Sequence, residues 1–163
     1  MQTTPFTIRR AERADADALI SLIVALADFE NLPPPDADAQ ARLIADGFGE
    51  HPPYEAHLAF IEGVTEPVGY AFIIETYSTF LALPTLYLED LFVLADYRRQ
   101  GVGGALLKHL IGLAQERGCG RMEWTCLDWN TGAQAVYEKL GARVMDEWLM
   151  YRLTGDALHG GTQ

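Results

Sequence analysis

Lysine, cysteine and histidine are all scarce in this chain. Lys108 and Lys139 are the only lysines, Cys119 and Cys126 the only cysteines, and the four histidines (His51, His57, His109, His159) are scattered. A formal net charge of −11 and an isoelectric point near 4.6 leave no basic face, which excludes general nucleic-acid binding. Two cysteines outside CxxC spacing cannot build a disulfide framework. No histidines stand at metal-ligand spacing, so no metal site is expected. No apolar run approaches the roughly 20 residues that span a bilayer, so no membrane partner is expected. Met1 to Arg10 lacks the apolar core and cleavage site of a signal peptide, so a cytoplasmic location is expected. The acidic surface can steer a cationic substrate or simply keep the protein soluble.

What remains is ordinary for a folded domain: 163 residues, 49% hydrophobic and 21% charged. One domain is expected over residues 1–155, followed by a flexible tail over 156–163. Phe6 to Arg10 reads as a strand. Leu19, Leu22, Ile23, Leu26 and Phe29 recur at helical spacing until three prolines stop the helix at "NLPPPDAD". A short helix over Ala39 to Asp46 leads into the loop "GFGEHPPY". His57–Glu62 and Val68–Thr76 form a hairpin around "EGVTEP". Leu86–Leu94 is a further strand, Val102–Arg117 a helix closed by Gly118, and Arg121–Leu127 a strand. Thr131–Leu140 is a helix closed by Gly141, and Arg143–Leu153 one or two strands. The order β-α-α-β-β-β-α-β-α-β predicts an α/β domain, a mixed sheet covered by helices in three layers.

The turn "ADYRRQGVGG" between the Leu86–Leu94 strand and the next helix concentrates positive charge in an acidic protein. A first helical turn offers amides without intrahelical partners, and the macrodipole adds about half a positive charge there. Gly101, Gly103 and Gly104 let a ligand approach that backbone, and Arg98 and Arg99 add charge beside it. The spacing is neither GxxxxGK[ST] nor GxGxxG. The alternative is a glycine-lined turn that only packs helix against sheet.

The corner has a companion. "RRQGVG" after a strand resembles the [RQ]xxGx[GA] acyl-CoA motif of the GNAT N-acetyltransferase superfamily, and "NTGAQAVYEKLGA" (Asn130 to Ala142) is similar to its closing motif. The motifs stand in the family's order, and the resemblance extends over about residues 6–153. "YLEDLFVLADYRRQGVG" and "DGFGEHPPY" further resemble the spermidine/spermine (diamine) acetyltransferase branch. The resemblance implies a GNAT-like three-layer α/β/α domain with a mixed, mostly antiparallel sheet splayed at the central strands. It also implies acetyl-CoA as cosubstrate, a small-molecule primary amine as acceptor, and a homodimer.

On that resemblance, amides from Gln100 through Val102 to Gly104 hold the pyrophosphate, and main chain at Leu91, Phe92 and Val93 pairs with the pantetheine arm. Asn130 reaches the pantetheine amide or caps its helix, and both can hold. Lys139 meets the 3′-phosphate or is an ordinary solvated lysine. Tyr137 is the candidate general acid: a phenol of pKa about 10 stays protonated at neutral pH and can donate to a departing thiolate of pKa about 8.5. On periodicity alone Tyr137 sits with Ala133, Val136 and Leu140 on a sheet-facing stripe. Glu89 is the candidate base, with a structural salt bridge as the alternative. Strand alternation predicts that Glu89 and Asp90 point to opposite faces. Cys126 as a nucleophile has no histidine paired with it in any recognisable pattern.

For the acceptor, carboxylates and aromatics that hold a cationic chain are sought among Asp28, Glu30, Glu75, Tyr77, Glu89, Asp90, Asp146, Glu147 and Trp148. The chain departs from the diamine pattern at "YSTFLALPT", where Ser78 occupies an acidic position. That weakens the case for a long polyamine and leaves a shorter diamine, a lysine-like or thialysine-like amino acid, or another amine. The rivals are a protein or peptide N-acetyltransferase and a non-catalytic acyl-CoA-binding module.

Overall fold

The structure is a computed structural model that describes residues 6–160. The chain divides into two compact units, Met1–Thr125 and Cys126–Gln163. The first holds strands β1 (Phe6–Arg10), β2 (Glu55–Ile61), β3 (Gly69–Ser78), β4 (Leu83–Val93) and β5 (Arg121–Trp124). Its helices are α1 (Ala16–Phe29), α2 (Ala37–Gly47) and α3 (Val102–Glu116). The sheet order is β1-β2-β3-β4-β5. Neighbours from β1 to β4 are antiparallel, and β5 runs parallel to β4 because α3 carries the chain back across the sheet.

Local chemistry sets the helix starts. The Asp15 carboxylate, just before α1, accepts from the Arg9 guanidinium at 2.6 and 2.9 Å and from the Glu12 amide at 2.7 Å. The Asp36 carboxylate caps α2 by accepting from the Ala39 amide at 2.8 Å. That cap starts the helix at Ala37, two residues earlier than the apolar pattern alone suggests.

Alternation along the strands separates two cores. Tyr54, Ala56, Leu58, Tyr70, Phe72 and Phe92 share one face with Leu19 and Leu22 of α1, and Leu43 and Phe48 lean on them from the α2 region. Residues one step out of phase face α3, whose Leu106, Leu107 and Leu110 are at most 1% exposed. The three layers are therefore α1/α2, sheet and α3. His57 and His109, remote in sequence, meet on the α3 side with Nδ1 and Nε2 2.9 Å apart. Burial pushes the His57 imidazole down to about 4, so it is neutral at pH 7. Beside it Glu55 takes a two-pronged hydrogen bond from Arg117, 2.8 Å on each oxygen. Among the described residues no group of three or more His, Cys, Asp or Glu side chains gathers as a metal set. No described helix is long and apolar enough to cross a membrane.

The second unit holds α4 (Thr131–Lys139) and the short α5 (Gly155–His159). The strands expected over Arg143–Leu153 do not form among the described residues, where the backbone is irregular with a turn near Asp146. A strand needs a laddered neighbour, and the described residues of this unit contain none. Where a flexible tail is expected from residue 156, α5 forms one turn and ends at Gly160, with φ +76°. Residues 161–163 of that tail lie outside the described residues.

Candidate active site

Strand β4 serves two partners, and one of them stops halfway. Its parallel ladder with β5 runs from Thr85↔Arg121 to Leu88↔Trp124 and ends there. The antiparallel ladder with β3 continues to Gly69↔Val93. From Glu89 to Val93, then, one edge of β4 has no strand partner among the described residues, which is the splay that the family resemblance implies. The edge includes the main chain of Leu91, Phe92 and Val93.

At the same point β4 carries a bulge. Ile73 opposes Leu88 and Phe72 opposes Asp90, so Glu89 is an extra residue without an opposite number. Regular alternation would send Glu89 and Asp90 to opposite faces, as the sequence suggests. The bulge overturns that expectation. Leu88 and Leu91 both take the α3 side, opposite Ile73 and Ala71; Asp90, opposite Phe72, falls on the α1 side, and the Glu89 charge acts on both Asp90 and the Tyr70 hydroxyl beside it.

There they differ sharply. Glu89 is exposed, whereas Asp90 is half-buried and accepts a hydrogen bond from the Tyr70 hydroxyl at 3.0 Å. Burial pushes the Asp90 carboxyl up to about 6; the Tyr70 bond opposes that shift, and the charges of Glu89 and Glu30 add to it. Tyr70 is fully buried, and its phenol is driven up by burial and by the Asp90 charge. Glu30, the residue that follows α1, is brought close because Phe29 packs on Phe92 with ring centres 6.1 Å apart. Tyr70 escaped notice in the sequence. Its signal was a hydroxyl inside the apolar run Val68–Thr76, where a buried donor needs a partner.

The glycine corner follows β4 directly. Arg99 and Gly101 both take left-handed backbone, φ +59° and +92°, to swing the chain from strand into α3. No side chain caps α3 among the described residues. Gly103 and Gly104 are helical, so conformation does not demand glycine. A Cβ at Gly104 would meet nothing within 4 Å, and one at Gly103 only Val93 Cγ2 at 3.8 Å. Packing within the chain does not demand glycine either, and what remains is a bare strip of backbone that an external group can touch. Gly69 differs: a Cβ there would stand 2.7 Å from the Phe92 carbonyl oxygen, so that glycine serves the β3–β4 contact.

The two arginines are not equivalent. The Arg98 Nε donates to the Val93 carbonyl at 2.8 Å, and its guanidinium lies over Phe29 and Phe92, 4.4 and 5.4 Å from the ring centres. It stitches the corner to α1. Arg99 is exposed, and the Gln100 amide donates to the Asp96 carbonyl at 3.0 Å. Tyr77, on β3, is 65% exposed and is not part of the acidic group.

In the second unit the Asn130 Oδ1 caps α4, accepting from the Ala133 amide at 3.3 Å. The cap leaves the side-chain NH2 as a donor. Tyr137 is half-buried, and burial, with a further contribution from the Cys126 thiol, pushes its phenol up to about 12. It is protonated throughout the neutral range. Cys126 is exposed and turns its thiol to the Leu127 carbonyl at 3.5 Å. Lys139 ends α4, and Trp148 is 74% exposed.

The model of the acetyltransferase (GNAT) family matches residues 21–142. The chain belongs to that family. Among curated GNAT relatives, a thialysine N-epsilon-acetyltransferase of Bos taurus is 35% identical, covering 93% of this chain and 94% of its own. An L-ornithine N5-acetyltransferase of Arabidopsis thaliana is 44% identical over 55% of this chain and 40% of its own. Among solved structures, an integron cassette protein of V. cholerae superposes with a TM-score of 0.81 at 24% identity, covering 95% of this chain and 96% of that one, and so shares the fold. GNAT acetyltransferases use acetyl-CoA, and this protein is an acetyltransferase.

The Asp90 carboxyl has a consequence for stability. Its folded value of about 6 lies above its ordinary 3.8. The folded state therefore holds the proton more tightly, and Asp90's contribution to stability is complete below about pH 4 and lost as pH rises through 6. Asp90→Asn keeps an oxygen for Tyr70 and removes the charge. It should stabilise the fold at pH 7.5 by roughly 1–3 kcal/mol and leave it unchanged at pH 4, read by urea melts. An equal effect at both pH values would show that charge is not the cause.

Proposed function

We propose that the enzyme acetylates the side-chain amine of a small basic amino acid of the lysine or ornithine type, at the α1-side acidic group formed by Glu89, Asp90 and Glu30. The observation that carries this reading is the bulge that breaks strand alternation at two consecutive carboxylates, whose charges act on one another, beside the open edge of β4. The relatives named for thialysine and L-ornithine support an acceptor of that kind. So does Ser78, buried where the diamine pattern has an acid, because a long polyamine would need a further carboxylate along its length.

The residues fit an acyl-CoA. The bare strip at Gly103 and Gly104, the uncapped start of α3 and the exposed Arg99 suit a diphosphate. The open edge of β4 over Leu91–Val93 suits an extended amide-bearing arm, added as a strand would be. The Asn130 side chain keeps its NH2 as a donor, the group that the family resemblance assigns to a pantetheine amide. Acetyl-CoA supplies an acetyl group activated as a thioester, with a thiolate as leaving group.

The chain's own residues manage the protons. An alkyl ammonium of pKa about 10.4 is only about 0.1% free amine at neutral pH, so a base is needed. Asp90, half-buried, holds the ammonium, and Glu89, exposed, takes its proton and passes it to water. Tyr137 gives its phenolic proton to the departing sulfur. Because Tyr137 is held protonated across the neutral range, it can donate there. No acyl-enzyme is required.

Release of CoA thiol, followed across lysine, thialysine, ornithine, diamines, spermidine and short peptides, tests the assignment. Turnover should be fastest with the basic amino acids; preference for spermidine or for peptides would contradict it. CoA binding without turnover on any amine would favour a non-catalytic module. In the same assay Tyr137→Phe should lower kcat by about 10²-fold or more with acetyl-CoA affinity nearly intact. An unchanged kcat would remove Tyr137 from the acid role.

A further inference from the structure

A hydroxyl at the centre of an apolar sheet needs an explanation that packing does not supply. Tyr70 is 0% exposed, its ring lies against Phe92, and it belongs to the core shared with Leu19 and Leu22. Phenylalanine would fill that space equally well. Asp90 is likewise out of place, since a half-buried carboxylate costs stability unless it is paired. Replacing such a pair with two apolar residues is often neutral or stabilising, so mutual satisfaction alone is a weak reason to keep both.

The geometry ties the pair to the acceptor site. Tyr70 opposes Phe92 on β4, and Asp90 follows the bulge at Glu89. The Tyr70 hydroxyl donates to Asp90 Oδ2 at 3.0 Å, occupying one oxygen and leaving Oδ1 for another donor. The Asp90 carboxylate cannot rotate without breaking that bond and stranding the phenol. The bulge sets two interacting acids side by side, and the phenol fixes the orientation of the second.

We infer that Tyr70 is a positioning residue for acetyl transfer, holding the Asp90 carboxylate in the orientation that binds the acceptor ammonium. This rests on the acetylation of a small basic amine proposed above. Tyr70 acts through Asp90 and touches no reacting atom. The charges facing Asp90 are Glu89 from its own strand and Glu30 from the end of α1. The Arg98 guanidinium, also near the end of α1, is bound to the Val93 carbonyl. Tyr70 is the neutral donor in this group, favouring the ionised carboxylate against two like charges.

The test is the pH dependence of kcat/KM for the best amine of the panel, at saturating acetyl-CoA, for wild type and Tyr70→Phe. Loss of the hydrogen bond should move the acid limb up by about one pH unit and raise KM for the amine about tenfold, with KM for acetyl-CoA unchanged. A purely structural tyrosine would lower the melting temperature and leave the limb where it was. An active, folded Tyr70→Phe enzyme with the wild-type limb and amine KM would overturn the inference. Should that variant fail to fold, Asp90→Asn, which retains an acceptor for the phenol, must move the same limb; an unmoved limb would overturn it equally. A wild type silent with every amine would sink both this inference and the function it rests on, whereas an active wild type with an unmoved Tyr70→Phe profile would sink this inference alone.

Discussion

The structure depends on one strand that cannot satisfy both of its neighbours along its whole length. Strand β4 pairs with β3 to the end, but its parallel ladder with β5 stops at Leu88. An unpaired strand edge is normally a liability, because amides and carbonyls there seek a partner. In the function proposed above, that edge receives the acyl carrier. The bulge at Glu89 falls at the same place, so loss of the β5 ladder and reversal of side-chain phase happen within two residues. The open edge and the two carboxylates therefore lie next to one another on β4.

The rest of the first unit holds that irregularity in place. Gly69 lets the β3 backbone approach Phe92 closely, which keeps the β3 ladder intact beyond the bulge. Arg98 ties the corner after β4 to Phe29 at the end of α1, and so brings Glu30 toward Asp90. On the opposite face the buried leucines of α3 fix the helix whose bare N-terminal turn follows the corner. The positive corner in an acidic protein is thus partly structural: Arg98 works inward, and Arg99 with the backbone amides faces outward.

Much of this was legible in the sequence, for identifiable reasons. Leu106, Leu107 and Leu110 repeat at helical spacing, and Gly101 and Gly118 mark the turns before and after α3. The RxxGxG corner and the Asn130–Tyr137 spacing carried the family, which the match over residues 21–142 bears out. The bulge was not legible, because "LYLEDLFV" reads as an unbroken strand and a bulge depends on the register with β3. That one omission removed the basis for placing Glu89 and Asp90 on opposite faces and left the partner of the Tyr70 hydroxyl unidentified. The His57–His109 contact was hidden for a similar reason, since it joins residues 52 apart in sequence. Arg143–Leu153 shows the opposite failure: strand-like composition does not make a strand without a neighbour to ladder with.

The central question is whether the open edge of β4 and the first turn of α3 receive the acyl carrier together. Backbone hydrogen exchange, followed with and without acetyl-CoA, reads this directly. Amides within Glu89–Val93 and within Val102–Gly104 should both slow on addition of the thioester, while those of the β1–β2 ladder stay as they were. Protection elsewhere, with those two stretches exchanging at their free rates, would contradict it.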